Sequence, residues 1–174
     1  MKKMQSNQNY KKIVQLLLDS RYLKPNNFYE SLDKSVFKAV GHKLFTLMVI
    51  DKSRKYVERV YSSNKKIYPL LGTKPIPKNA WTKRVLIEKK EFLGTNFTQI
   101  KKLFFDYETI FALGCGSIIN FLVRVNKIPL GTINILDREY KYKTSDIKKI
   151  EEISIFTIPL FINHRILMEK KNEK

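Results

Sequence analysis

The stretch LGCGSIINFLV, Leu113 to Val123, holds Cys115, the only cysteine of the chain, between Gly114 and Gly116. A thiol in a glycine frame has three uses: a nucleophile on a turn, part of a phosphate-cradling loop, or a small residue at the bend feeding a buried strand. A nucleophile needs an activating neighbour, and a phosphate cradle needs a helix that begins just after the loop. The residues after Gly116 read as a strand, so a residue at the edge of a pocket is the preferred role. Chemistry at Cys115 stays open as an alternative. One cysteine supports neither an internal disulfide nor a Cys-rich zinc site. His42 and His164 have no metal-ligand spacing, and no Ser-His-Asp, HExxH or Walker pattern occurs. No cofactor and no metal are expected.

Asp106, in FFDYET, is a carboxylate beside two phenylalanines. It either faces a pocket, holding a cationic or hydroxyl group or serving an enzyme, or pairs with a surface lysine. Trp81 follows KPIPKN and is either a ring that stacks on a ligand or a plug in the core. Tyr61 and Ser63 close the alternating run YVERVYSS, where ligand contact competes with ordinary strand-end hydrogen bonding. Phe92 in EFLGTN, Ser117 and Asn120 complete the candidate ligand-binding set. If Asn126-Lys127 is an even-length hairpin turn, Asn120 and Asn134 point to opposite faces of the sheet. Gly131 then sits opposite Leu122, leaving space on the Asn120 side. Asn120 is taken as the pocket residue and Asn134 as the one satisfied elsewhere.

These residues need a scaffold, and 174 residues with 43% hydrophobic content supply one domain with a real core. No apolar run approaches the ~20 residues that cross a bilayer, and no secretory signal pattern follows the basic start. A soluble cytoplasmic protein without membrane contact is expected. The formal charge of +18 comes from 27 Lys and 7 Arg, dispersed in pairs from Lys2 to Lys174. Arginine is the better reader of phosphates and bases. The Lys, Asn and Ile richness matches AT-rich codon usage, so a solvated surface is preferred to a nucleic-acid face. Binding of nucleic acid or an acidic partner remains the minor alternative.

Periodicity predicts a short helix over residues 7–19. A second, capped by Asn26 or Asn27, presents Phe28, Leu32, Val36 and Val40 on one face and ends at Gly41. Lys43–Asp51 and Tyr56–Ser63 read as strands around a turn. Residues 64–116 form a long mixed connection with a helical piece over Asn79–Lys90, extended EFLGTN and a helix over Gln99–Phe111. Connections of this size inside a compact domain are usually functional. SIINFLVRV and PLGTINILD form the strongest hairpin signal. Thr144 or Ser145 caps a long final helix that Pro159 should kink. Its segment Ile155–Ile162 is apolar almost all round, as at a dimer seam. The order implies an α+β fold: an antiparallel sheet, terminal helices on one face, and a helical and loop roof over a pocket on the other.

FTLMVIDKSRKYVERVYSS and SIINFLVRVNKIPLGTINILDREYKYKTSDIKKIEEIS resemble the first hairpin, the later strand pair and the closing helix of the GAF domain family. VYSSNKKIYPLLGTKPIPKNAW and LGCGSIINFLV are similar to segments of small stand-alone bacterial GAF proteins, with Leu122 where such strands commonly carry proline. The resemblance implies a helical extension over residues 1–25, a GAF-like domain over 26–167 and a charged tail over 168–174. It also implies a small-molecule-binding protein of sensor or regulatory type, acting as a homodimer. Methionine-sulfoxide-reducing members of the family need a second cysteine. Bilin-binding ones need a histidine near the thiol, and the residue set of cyclic-nucleotide binders is not evident. A metabolite enzyme using Asp106 or Cys115 is the alternative.

Overall fold

The computed structural model describes residues 25–70 and 72–172. The helix expected over residues 7–19 lies outside them. Helix α1 (Pro25–Val40) turns the predicted face of Phe28, Leu32, Val36 and Val40 into the core. Gly41 ends it at φ +72°, and its N–H bonds Phe37 O at 2.8 Å. That left-handed backbone is where glycine costs least.

Strands β1 (Leu44–Ile50) and β2 (Tyr56–Ser62) form the first hairpin. The Asp51 carboxylate organises its turn by accepting from Lys55 N, Tyr56 N and Ser53 N at 2.9, 2.7 and 3.0 Å. The long connection supplies β3 (Thr73–Pro75), α2 (Ala80–Thr82) running into a wide helical turn (Lys83–Ile87), β4 (Phe92–Gly94), α3 (Phe97–Leu103) and α4 (Tyr107–Ala112). Strands β5 (Ser117–Val125) and β6 (Ile128–Asp137) close on Asn126 and Lys127, at φ 48° and 66°. Two successive positive φ values give the turn whose twist matches a two-residue hairpin. The sheet is antiparallel throughout, as the α+β reading anticipated, and its six strands run in the order β3-β2-β1-β6-β5-β4.

One face carries Phe45, Leu47, Ile119, Ile133 and Ile135, all fully buried under α1, α5 (Thr144–Ser154) and α6 (Ile158–Asn172). Each such side chain contributes roughly 1.5–3 kcal/mol of burial. The opposite face carries Leu44, Ile118, Leu122 and Leu136 beneath Val85, Ile100 and Ile110 of the connection. The sheet is therefore a floor with a helical layer below and a roof above.

Three helix expectations change. The helix expected over Gln99–Phe111 is two helices, because Phe104 is extended at φ −115°, ψ 121°. That break lets its ring meet Phe92, centroids 5.8 Å apart, and swings Asp106 toward the sheet. The final helix is capped by Lys143 and not by Thr144 or Ser145: the Asp146 side chain accepts from Lys143 N at 3.0 Å. The break near Pro159 begins earlier, as a tight turn over Ile155–Thr157. Pro159 then occupies the first turn of α6, where its missing N–H is tolerated. The helix continues to Asn172, with Met168 buried.

Candidate functional site

A cavity of about 520 Å³ lies between floor and roof. Its apolar walls include Met48 and Ile50 of β1, Val57 of β2, and Ile76, Leu86 and Phe104 of the roof. Polar groups converge on it in two places.

The first is a chain of hydrogen bonds running along the floor and up into the roof. Asn134 Nδ2 donates to Thr46 Oγ1 at 3.2 Å, Asn120 Nδ2 donates to Asn134 Oδ1 at 2.7 Å, and Trp81 Nε1 donates to Asn120 Oδ1 at 3.0 Å. Asn79 caps α2 by accepting from Thr82 N at 3.0 Å, which holds the short helix that carries Trp81. Thr132 lies two residues along β6 from Asn134. It is 1% exposed, lines the cavity, and its Oγ1 has no hydrogen-bond partner.

The second is a charged wall. Arg59 on β2 lies under the Tyr68 ring, Cζ 5.0 Å from its centroid, and its Nη1 donates to Pro69 O at 3.1 Å. The Tyr68 hydroxyl donates to Asp106 Oδ2 at 2.9 Å. Burial, followed by the Asp106 charge and hydrogen bond, pushes the Tyr68 hydroxyl well above the ordinary phenol range. Burial also weakens the hold of Arg59 on its proton, which Tyr68 and Asp106 oppose. Tyr68 therefore stays neutral and acts as a donor.

Of the residues picked from the sequence, Trp81, Asp106 and Asn120 line the cavity. Phe92 is on the same side, directly across from Asn120, but packs into the roof core. Cys115 is fully buried in that core, outside the lining, and burial pushes its thiol up to about 11. Ser117 is equally buried; its Oγ donates to Gly94 O at 3.0 Å and accepts from Tyr142 N at 3.3 Å. Tyr61 is on the helix side, where its hydroxyl donates to Asp33 Oδ2 at 2.6 Å. Ser63 continues the strand pairing, its Oγ accepting from Phe45 N and its N–H donating to Phe45 O, both at 2.9 Å.

Two β-bulges explain the differences. The register passes from Leu47 opposite Tyr61 to Met48 opposite Arg59, so Val60 is an extra residue in β2. Simple alternation would have kept Tyr61 on the Arg59 side; the bulge turns it to the helices. In β6 the extra residue is Leu130, since Arg124 faces Pro129 and Val123 faces Gly131. This corrects the expectation for the asparagines: Asn120 and Asn134 stand directly opposite one another, on the same face. It also moves Gly131 to the helix side, opposite Val123, where the space serves packing. A Cβ there would lie 2.2 Å from Met48 O and 2.6 Å from the Phe161 ring.

The residues not anticipated are Arg59, Tyr68, Thr46, Thr132 and Asn134. Arg59 lies two residues from Val57 and so on the same face of a half-buried strand, a signal that could have placed it on the floor.

The geometry describes a partly open, mostly apolar chamber with fixed donors and acceptors, suited to holding a small molecule. Among the described residues no group of three or more His, Cys, Asp or Glu side chains could hold a metal ion. No described helix is long and apolar enough to cross a membrane.

No family model matches the chain, and no curated protein matches it in sequence. Solved structures do. The GAF domain of an Acinetobacter phosphoenolpyruvate-protein phosphotransferase superposes at TM-score 0.68 with 9% identity, covering 94% of this chain and 95% of that one. The GAF domain of a Bacillus halodurans two-component sensor histidine kinase gives 0.65 with 12% identity, covering 84% and 98%. A type II free methionine-R-sulfoxide reductase from Thermoplasma acidophilum gives 0.61 with 12% identity, covering 78% and 90%. At these identities the likeness is one of architecture. The chain has the fold of a GAF domain, with a six-stranded antiparallel sheet under a roofed cavity.

Proposed function

We propose that this chain is a sensor-type module that binds a small metabolite in the cavity between sheet and roof. The observation that carries the reading is the chamber itself: about 520 Å³, mostly apolar, with the Thr46-Asn134-Asn120-Trp81 chain of hydrogen bonds along one side. Ligand pockets have this size and this balance of apolar wall and few polar groups. Binding is favoured over catalysis because Cys115 is outside the lining with a raised thiol pKa. Asp106 already accepts the Tyr68 hydroxyl. A cytoplasmic setting fits a thiol that is free and buried.

The test is a thermal-shift screen of metabolites, read together with the emission of Trp81, the only tryptophan and a cavity residue. A ligand at a hundred times its Kd adds about 2.7 kcal/mol of stability. Compounds that raise Tm should also change Trp81 emission. Silence in both readouts across purines, amino acids and organic acids overturns the reading.

The homodimer belongs to the same proposal. Ile162, Ile166 and Leu167 of α6 are 42–46% exposed, and Ile155 in the turn before it is 62% exposed. Ile162 and Ile166, four residues apart, share one face of α6 and leave an apolar patch there. A dimer through this patch predicts that Ile162→Glu with Ile166→Glu yields monomer by light scattering. A monomeric wild type at tens of micromolar rules it out.

A further inference from the structure

The cavity reading leaves the chemical class of the ligand open, and the charged wall addresses it. Arg59 is a wall residue of a largely apolar chamber. Among the described residues no carboxylate lies within ion-pair distance of it. Only Nη1 of its guanidinium has a protein acceptor, Pro69 O. Nε is enclosed without a partner. Arg59 as a whole is half-buried, and an enclosed donor such as its Nε is costly unless something supplies an acceptor.

The one carboxylate on the same wall, Asp106, already accepts the Tyr68 hydroxyl. Lys74 also borders the chamber, so its lining carries two cations against one anion. Across the floor, Arg59, Met48 and Thr132 occupy one row on β2, β1 and β6. The two polar residues of that row therefore stand about 10 Å apart, two strand spacings, with an apolar residue between. Thr132 Oγ1 is the other floor group without a partner. A ligand lying along this row meets a cation at one end, an apolar middle and a hydroxyl at the far end. The remaining space is lined by rings and aliphatic side chains, and Phe105 at the cavity wall is 91% exposed.

We propose that the cavity selects small carboxylic acids with a predominantly apolar body, the carboxylate seated on Arg59. This rests on the cavity being a ligand site. Guanidinium is the side chain whose planar fork matches a carboxylate, and a charge-assisted hydrogen bond is stronger than a neutral one. The +18 charge of the whole chain favours the approach of an anion. A phosphate group is disfavoured because Arg59 and Lys74 against Asp106 leave the lining one net positive charge, not two.

The experiment uses two acid–amide pairs as probes, octanoate with octanamide and 4-phenylbutyrate with 4-phenylbutyramide. Each is titrated against the full chain by Trp81 emission and thermal shift. The acids should bind about ten- to a hundredfold more tightly than their amides, the range for a hydrogen bond to a charged group. Arg59→Met should erase that preference while leaving amide binding in place. Asp106→Asn, which removes the opposing charge, should tighten the acids and not the amides; it also covers the case in which Arg59→Met fails to fold. Arg124→Met, on the far end of β5, should change neither. Equal binding of acid and amide, or an acid preference that survives Arg59→Met, overturns the proposal and leaves the cavity reading standing. No binding by any of the four probes also overturns the proposal, and the metabolite screen then decides the cavity reading separately.

Discussion

Trp81 Nε1 stands 3.0 Å from Asn120 Oδ1, so the only tryptophan of the chain ties the roof to the floor of the cavity. Asn120 is the middle of that chain, accepting from Trp81 and donating to Asn134 at 2.7 Å. Asn120→Ala leaves the half-buried Trp81 donor and the buried Asn134 acceptor without partners. Each stranded group costs about 1–3 kcal/mol, so Tm should fall by several degrees. Trp81 emission should shift to longer wavelength as water replaces the amide. Unchanged Tm and emission would show that the chain of bonds does not organise the roof.

How far the sequence disclosed this arrangement turns on single inserted residues. Alternation and capping were enough for the sheet, the helix side of the core and the Asn126-Lys127 turn, because each is local: one period, one turn, one cap. The roof was legible as a long connection between the two hairpins, and Trp81, Asp106 and Asn120, which line the cavity beneath it, stood among the candidates on residue type. What alternation cannot carry is a bulge. Val60 in β2 and Leu130 in β6 each reverse the facing of every later residue, moving Tyr61 away from the cavity and Asn134 into it. Arg59 precedes the bulge and lies on the Val57 side that simple alternation gives, but nothing local marks its unpartnered Nε. Likewise the Phe104 break answers to Phe92, a contact across the fold that no local propensity encodes.

Gly131 allows the bulged strand to pack against α6. A methyl group there meets Met48 O at 2.2 Å and the Phe161 ring at 2.6 Å, and one of those neighbours is backbone in the next strand. Gly131→Ala should cost about 1–3 kcal/mol or more through overpacking. Adding Phe161→Leu should recover part of that loss, since two of the three nearest atoms belong to the ring. Gly72→Ala is the contrast: its Cβ meets nothing within 4 Å, but its φ is +71°. The cost there should be about 1–2 kcal/mol and unaffected by Phe161→Leu. Urea unfolding of the four variants checks both statements.

Cys115 should be inert in the native protein. It is fully buried, and burial raises its thiol to about 11, only partly offset by Lys43. At pH 8 a thiol-specific disulfide reagent should label it no faster than the protein opens, and the rate should rise with urea. Labelling faster than that of an unfolded control would revive the nucleophile reading.

The β1-β2 turn supplies the clearest pH dependence. Burial acts to raise the Asp51 pKa, but hydrogen bonds from Ser53, Tyr56 and Lys55 outweigh it and hold the carboxyl below its ordinary 3.8. A folded-state pKa below the unfolded one makes the ionised carboxylate stabilising above the unfolded value. That contribution is lost as pH falls through the folded one. The same residue offers its carbonyl oxygen to Arg165 Nη2 at 3.1 Å, and Arg165 also bonds Ile50 O and Pro129 O at 2.8 and 2.7 Å. The turn, the end of the second hairpin and α6 are thus clasped at one point. Asp51→Asn should therefore destabilise at pH 6, where the wild-type carboxylate is ionised in both states. The gap between the two proteins should narrow steadily below about pH 4, the ordinary carboxylate range. Urea unfolding at pH 6, 4 and 3 measures it, and a gap that stays constant across the three would mean that the turn does not depend on the charge of Asp51.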